Sequence, residues 1–455
     1  MSAFQTNDTR FDVKIGHLTD HGGSVNAENQ DISIIIPIVE HNGCLIAIAD
    51  GHGPTGKFVV EVVKSVMEEL IKDKIGLLLE NTVAFLEFAY DHIHEQIKDR
   101  LSEKLTTEGY EVSLDENGVI LMRKDIHKDF TVLKGGSTFS VVLLLGKKMY
   151  IANVGDSTGL LCCKHPILKN SVFNYEKDAA DPTKTVVYDP SRDKPSTFIE
   201  LTCDHSPENI MEYFRMRRFK RFEEDYNHAE VLCIYDKQGK YKPSCKQIFD
   251  INADGVVTLA PVDTAPLDGK FEYYYKNVRE EKATYVTDRC GEYVLSATRA
   301  LGDFKLGSQG ISNKPEIRSI NLDTVFTDLK SQIENVSVEE IASSTNTTNV
   351  TNTTNVTNTT NVTNTTNVTN KTLDPKTICV VLASDGLWDN FKYQDVQLFV
   401  MDNSCLKAIV DKPIDGAQLV VNSLMKRNKD RGVKNFKESR DNATTIVMYI
   451  TEENK

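Results

Sequence analysis

Cys44-Leu45-Ile46-Ala47-Ile48-Ala49-Asp50-Gly51-His52-Gly53 ends an unbroken apolar run on an acid, a glycine and a histidine. The run predicts a buried strand, and the polar cluster predicts the loop at its end. Asp50 would project one carboxylate, and Gly51 could bring a bare backbone carbonyl close to whatever that carboxylate holds. His52 is the one side chain here whose unperturbed pKa lies near neutrality. Hard oxygen ligands beside an acid–base group point to a hard cation and hydrolytic chemistry. Alone the tetrad is weak, because Asp-Gly also ends strands as a plain turn.

The design recurs far downstream. Ile378-Cys379-Val380-Val381-Leu382-Ala383-Ser384-Asp385-Gly386-Leu387-Trp388-Asp389 is again an apolar run closed by Asp-Gly, followed by the only tryptophan of the chain. A third acid, Asp441, opens the strand-like Thr444-Thr445-Ile446-Val447-Met448-Tyr449-Ile450. Three carboxylates at the ends of three strands can converge on one metal site without being neighbours in sequence.

These residues resemble the metal-dependent protein Ser/Thr phosphatases, the PPM or type-2C family, in its version with an Asp-Gly-His-Gly-Pro motif. Further segments carry the resemblance in the family's order: Asn29-Gln30-Asp31, Gly136-Ser137-Thr138, Ala152-Asn153-Val154-Gly155-Asp156-Ser157 and Leu201-Thr202-Cys203-Asp204-His205-Ser206-Pro207. Ser296-Ala297-Thr298-Arg299-Ala300-Leu301-Gly302-Asp303, Lys314-Pro315-Glu316 and Arg440-Asp441-Asn442 complete the set. The resemblance implies a four-layer α-β-β-α sandwich of two mostly antiparallel sheets flanked by helix pairs. It implies two Mg²⁺ or Mn²⁺ ions, one held by Asp50 and the Gly51 carbonyl, the other by Asp50, Asp385 and Asp441. Asp31 would join mainly through waters, and Asp156 with Asp389 would hold a weaker third ion. A water shared by the two cations would become the nucleophile on phosphorus, and His52 would protonate the departing alkoxide. The implied substrates are phosphoserine and phosphothreonine in proteins.

One position departs from the family. Where it usually carries an arginine that grips substrate phosphate, three residues before Asn29, this chain has Asn26. A neutral amide cannot make the charge-assisted bidentate contact of a guanidinium. Asn26 therefore favours an alternative, a catalytically weak or inactive pseudophosphatase acting as a binding scaffold, whereas the retained metal acids oppose it.

With 455 residues, the spread of motifs predicts one domain over 13–452 after a loose polar stretch at 1–12, with insertions at about 160–200, 208–292 and 323–375. The net charge of −13 argues against nucleic acid as a partner, and 40% hydrophobic content is ordinary for a globular protein. Nine cysteines without a Cys-x-x-Cys pair read as reduced thiols, and Cys44, Cys233 and Cys379 lie in apolar runs. No leader, myristoylation start or stretch long enough to span a bilayer is evident, so a monomer in the cytoplasm or nucleus is expected.

Helical spacing predicts helices over Lys57–Lys72, Asn81–Leu105, Tyr393–Met401 and Ala417–Lys426. Thr138–Leu145 and Lys148–Ala152 read as strands joined by a tight turn at Gly146-Lys147. Asp250-Ile251-Asn252-Ala253-Asp254-Gly255 imitates half an EF-hand loop, but Pro261 stands where the bidentate glutamate belongs, so a turn between two strands is expected. The basic, aromatic Tyr213–Phe222 segment is foremost a solvated helix face. By family analogy it lies near a flap beside the active site, where its cations could meet acidic substrates. Arg299 is expected to buttress its loop by ion pairing. Residues 346–369 are four copies of Asn-Thr-Thr-Asn-Val-Thr, too polar to stack as a solenoid and read as low complexity.

Overall fold

The computed structural model describes residues 2–4, 11–23, 28–116, 118–168, 173–181, 194–218, 232–235, 247–261, 275–287, 293–307, 310–331 and 376–453. Asn26, the 346–369 repeat and the 219–222 end of the basic segment lie outside the described residues.

Two antiparallel sheets stack face to face. One runs, in spatial order, Ser2–Phe4, Phe11–Asp20, Ala443–Glu452, Thr377–Ala383, Thr158–Ile167, Ser196–Glu200. The other runs Phe173–Asp178, Glu316–Asn321, Lys148–Val154, Phe139–Leu145, Gly43–His52, with Asp31–Ile38 also on Gly43–His52. The unbroken apolar runs follow from this stacking. In Gly43–His52, Cys44, Ile46 and Ile48 face the layer between the sheets, while Leu45, Ala47 and Ala49 face helices Gly56–Asp73 and Thr82–Thr107. In Thr377–Ala383, Ile378, Val380 and Leu382 join the same middle layer. Cys379, Val381 and Ala383 meet helices Tyr393–Val400, Asn403–Asp411 and Gly416–Asn435. A strand covered on both faces has no polar face to alternate with. Three apolar layers between four layers of backbone give the expected α-β-β-α sandwich. Among the described residues no helix is long and apolar enough to cross a membrane.

Several expectations are corrected. The described parts of 160–200 belong to the sheets, because Thr158–Ile167, Phe173–Asp178 and Ser196–Glu200 are sheet strands. The last two lie at sheet edges, where exposure permits a polar composition. The start of the stretch read as an insertion at 323–375 is helical, residues 322–331 forming a helix. That helix sends Leu322, Val325, Phe326 and Leu329 into the layer between the sheets, with Phe326 stacked on Phe11. A third C-terminal helix, Asn403–Asp411, was not anticipated, and Gly416–Asn435 runs well past Lys426. The Gly146-Lys147 turn forms as expected, and so does the Asn252–Gly255 turn between Phe249–Ile251 and Val257–Leu259.

The described parts of 208–292 build a satellite unit beside the sandwich. Helix Ile210–Arg218 and strands Leu232–Tyr235, Thr284–Thr287 and Val294–Leu295 share a small core of Met216, Cys233, Val286 and Leu295. Arg215 is not a solvated cation here. Buried, it bonds Glu212 at 2.9 Å and the carbonyls of Gly310 and Thr298. Arg299 plays the buttressing part expected of it. Fully buried, it holds Asp178 through two bonds of 2.8 Å and Glu212 through bonds of 2.5 and 3.0 Å.

Candidate metal centre and acid–base pair

The acids meet because the strands that carry them end at one edge of the sandwich. Register places Asp31 opposite Asp50, and Gly51 and His52 opposite Ser137 and Gly136. Across the gap between the sheets, Ser384 Oγ donates to Asp31 Oδ2 at 2.7 Å and accepts from the Thr444 amide at 2.9 Å. One hydroxyl thus ties Asp31, the Asp385 turn and the Asp441 strand together. Gln30 adds a second tie, its amide donating to Asn442 Oδ1 and its side chain to the Gly53 carbonyl. Both Asp-Gly glycines are required by space. A Cβ on Gly386 would lie 1.8 Å from the Asn442 carbonyl oxygen, and one on Gly51 would lie 2.7 Å from that of Gly56.

The electrostatics of this corner are those of a site built to hold positive charge. Asp31 is buried, and burial pushes its carboxyl up to about 6; the Ser384 bond opposes the rise and Asp385 adds to it. Burial likewise pushes Asp385 to about 7, with Asp441 reinforcing it. Asp50 is driven well above the carboxylate range by burial and by Asp31, Asp385, Asp441 and Asp156 in turn. Asp31 Oδ1, Asp385 Oδ1 and Asp389 Oδ1 are sealed from solvent without a hydrogen-bond donor. Sealed, unpartnered anionic oxygens cost several kcal/mol each unless a cation meets them. An all-oxygen donor set of this kind fits Mg²⁺ or Mn²⁺. Among the described residues no three His, Cys, Asp or Glu side chains close on a single point. The acids act on one another's charge all the same, and Mg²⁺ and Mn²⁺ keep much of their water shell when a few carboxylates hold them.

Each anticipated residue can now be placed. Asp50, Gly51 and His52 end the Gly43–His52 strand, and Asp385 and Asp389 flank the short Asp385–Trp388 helix. Asp441 lies exposed at the mouth just before Ala443–Glu452. Asp156 follows Lys148–Val154, buried and paired at 3.1 Å with the ammonium of Lys276. Trp388 anchors the turn, its indole N–H donating to the carbonyls of Thr158 and Ala383.

Three further residues belong to the site and were not assigned a part from sequence. His52 Nε2 lies 2.6 Å from Oδ2 of Asp303, which is 1% exposed. Tyr293 donates to the other oxygen of Asp303 and accepts from the Gly135 amide. Burial pulls the imidazole pKa down, but the Asp303 charge and hydrogen bond outweigh it and hold His52 above its usual value. Asp303 adopts a φ of 47°, an uncommon conformation outside glycine. It stands in the quoted Leu301-Gly302-Asp303 segment, so an acid at a glycine turn was the available signal; Tyr293 and Lys276 had none.

Among the described residues, the buried cysteines are the reverse of nucleophilic. Cys44, Cys162, Cys163, Cys233 and Cys379 are buried, and burial raises each thiol, Cys44 to about 12.

Known proteins are similar to this chain. Protein phosphatase 1L of Bos taurus is 25% identical over 202 residues, which are 43% of this chain and 41% of that protein. The chain thus matches about two fifths of that relative's length. The solved serine-threonine phosphatase 2C from Toxoplasma gondii has 16% identity and a TM-score of 0.44, covering 99% of this chain and 98% of its own. The catalytic domain of the phosphatase PstP, solved with 2 manganese ions, has 12% identity and a TM-score of 0.38, covering 97% and 99%. The family model described as protein phosphatase 2C matches residues 81–228 and 279–435, more than half of the sequence. The chain belongs to the protein phosphatase 2C family.

Proposed function

We propose that the chain hydrolyses phosphoserine and phosphothreonine in proteins, using two Mg²⁺ or Mn²⁺ ions. The observation that carries this reading is the group of sealed, donorless oxygens of Asp31, Asp385 and Asp389 beside the His52–Asp303 pair. Asp50 and the Gly51 carbonyl would hold one ion, and Asp50, Asp385 and Asp441 the other, with Asp31 reached through water. Bound there, divalent cations polarise the phosphate and lower the pKa of coordinated water toward neutrality.

The remaining work falls to the chain. Asp303 accepts from His52 Nε2–H and favours the imidazolium, which leaves Nδ1–H as the proton to give. That proton passes to the serine or threonine oxygen as its bond to phosphorus breaks, so a strongly basic alkoxide never departs. Tyr293 fixes the Asp303 carboxylate and so the ring orientation. None of the buried cysteines among the described residues takes part, because buried neutral thiols are poor nucleophiles.

Turnover of a phosphothreonine peptide with Mn²⁺, with Mg²⁺ and with EDTA tests the reading. Asp385→Asn removes one anionic ligand and should abolish turnover while leaving the circular dichroism spectrum unchanged. Wild-type turnover undiminished by EDTA, or a fully active Asp385→Asn, would overturn it. A folded wild type that binds Mn²⁺ yet hydrolyses nothing would favour the scaffold alternative.

A further inference from the structure

The segment that departs most from the sandwich also reaches into the acid cluster. Residues 275–282 form a tight hairpin closed by the Tyr275–Lys282 bridge and a 2.6 Å bond from the Lys276 amide to the Glu281 carbonyl. Asn277, fully buried, stiffens it from within. Its Oδ1 accepts from the amides of Arg279 and Glu281, and its Nδ2 donates to Glu281 Oε2. The hairpin is docked on the turn that carries two of the acids. The Val278 amide donates to the Asp389 carbonyl at 3.0 Å, Arg279 Nη1 donates to the carbonyls of Trp388 and Phe391, and the guanidinium lies 4.8 Å over the Tyr393 ring. From that platform Lys276 sends its ammonium to 3.1 Å from Asp156 Oδ2.

We infer that the Lys276 ammonium is the resident cation of the Asp156 side of this cluster, so that the site takes two divalent ions and excludes a third. The inference rests on the metal reading of the site given above, and it departs from the third ion that resemblance assigns to Asp156 and Asp389. Six aspartates make up the cluster, and two divalent ions answer four of those charges. Lys276 supplies one more positive charge in contact with Asp156, and the same ammonium attracts Asp385 and Asp389. A tethered ammonium acts at a high effective concentration, because its hairpin is already ordered by contacts that do not involve Asp156. A hydrated divalent ion would have to displace it and leave a partly buried ammonium without its partner. Arg279 and Asn277 are therefore positioning residues for Lys276.

Counting bound ions tests this without reference to turnover. Equilibrium dialysis against Mn²⁺, read by electron paramagnetic resonance and elemental analysis, should saturate at two ions for the wild type and for Lys276→Arg, and at three for Lys276→Met. A wild type that takes up three ions overturns the inference, as does a folded Lys276→Met that still stops at two. The wild-type count decides alone if Lys276→Met does not fold. A wild type that binds no Mn²⁺ defeats the metal reading itself and the inference with it, an outcome distinct from a count of three.

Discussion

Replacing Asp303 by asparagine keeps the shape of the side chain and one oxygen for His52, but removes the charge that sustains the imidazolium. The native contact is short, 2.6 Å, and Asp303 is sealed from water, so solvent cannot compensate. Hydrogen bonds to charged groups contribute about 1.5–3 kcal/mol. At about 1.4 kcal/mol per tenfold in rate, the proton-transfer step should slow about 10–100-fold, and the His52 pKa should fall. The sign follows from the cause. Asp303 holds His52 protonated above its ordinary range, so its loss moves the basic limb of the kcat profile to lower pH. The informative assay compares two substrates under saturating Mn²⁺. A phosphothreonine peptide leaves as a basic alkoxide and needs the proton, whereas p-nitrophenyl phosphate leaves as a weakly basic phenolate and does not. The peptide should lose the full factor and the aryl ester little. Equal losses on both substrates, or a basic limb that stays in place, would refute the role given to the pair.

Arg299→Leu takes the guanidinium away from buried Asp178 and leaves Glu212 to Arg215 alone, and should cost about 3–5 kcal/mol in urea unfolding, since breaking a buried ion pair from one side leaves uncompensated charge; a loss below 1 kcal/mol would show that the network is dispensable. His205 is buried, accepts from the Gly155 amide, and is lowered to about 3 by burial and then by Arg299. The unfolded chain therefore takes a proton below about pH 6.5 that the native chain refuses, and His205 withdraws stability as pH falls, about 2 kcal/mol by pH 5. Asp31 and Asp385, whose native values are raised, work in the opposite sense, so the measurement is the difference in urea midpoint between wild type and His205→Asn from pH 7 to 5; a constant difference would remove the assignment.

The parts of the site that were legible in sequence are those with a local cause. Asp50, Asp385 and Asp441 each adjoin a strand buried on both faces, so an apolar run abutting an acid marks them. The strands at sheet edges were not legible, because Phe173–Asp178 and Ser196–Glu200 expose enough backbone and side chain to tolerate polar residues. Asn403–Asp411 hid for a related reason: it is short, and its start is marked only by Asp402 accepting from the Ser404 amide. The His52–Asp303 contact joins residues 251 positions apart, and no periodicity records such a meeting. Lys276 is less legible still, being one lysine among many in a segment without a repeating pattern, placed by a hairpin whose bonds are mostly backbone and Asn277.

The pairing of Phe11–Asp20 with Ala443–Glu452 sets a condition on how the protein is made. All ten register pairs, from Phe11 with Glu452 to Asp20 with Ala443, join segments at opposite ends of the described chain. During synthesis the early strand must wait, its apolar Phe11, Val13 and Ile15 without a lasting partner, until the late one leaves the ribosome. Contacts of such high order are slow to form, because the entropy of closing the loop is lost before the sheet gains anything. Asp441 arrives on that same late segment. Growing chains shorter than this point can neither complete that sheet nor bring Asp441 to the other acids, so the sheet and the acid cluster are completed by the same late segment.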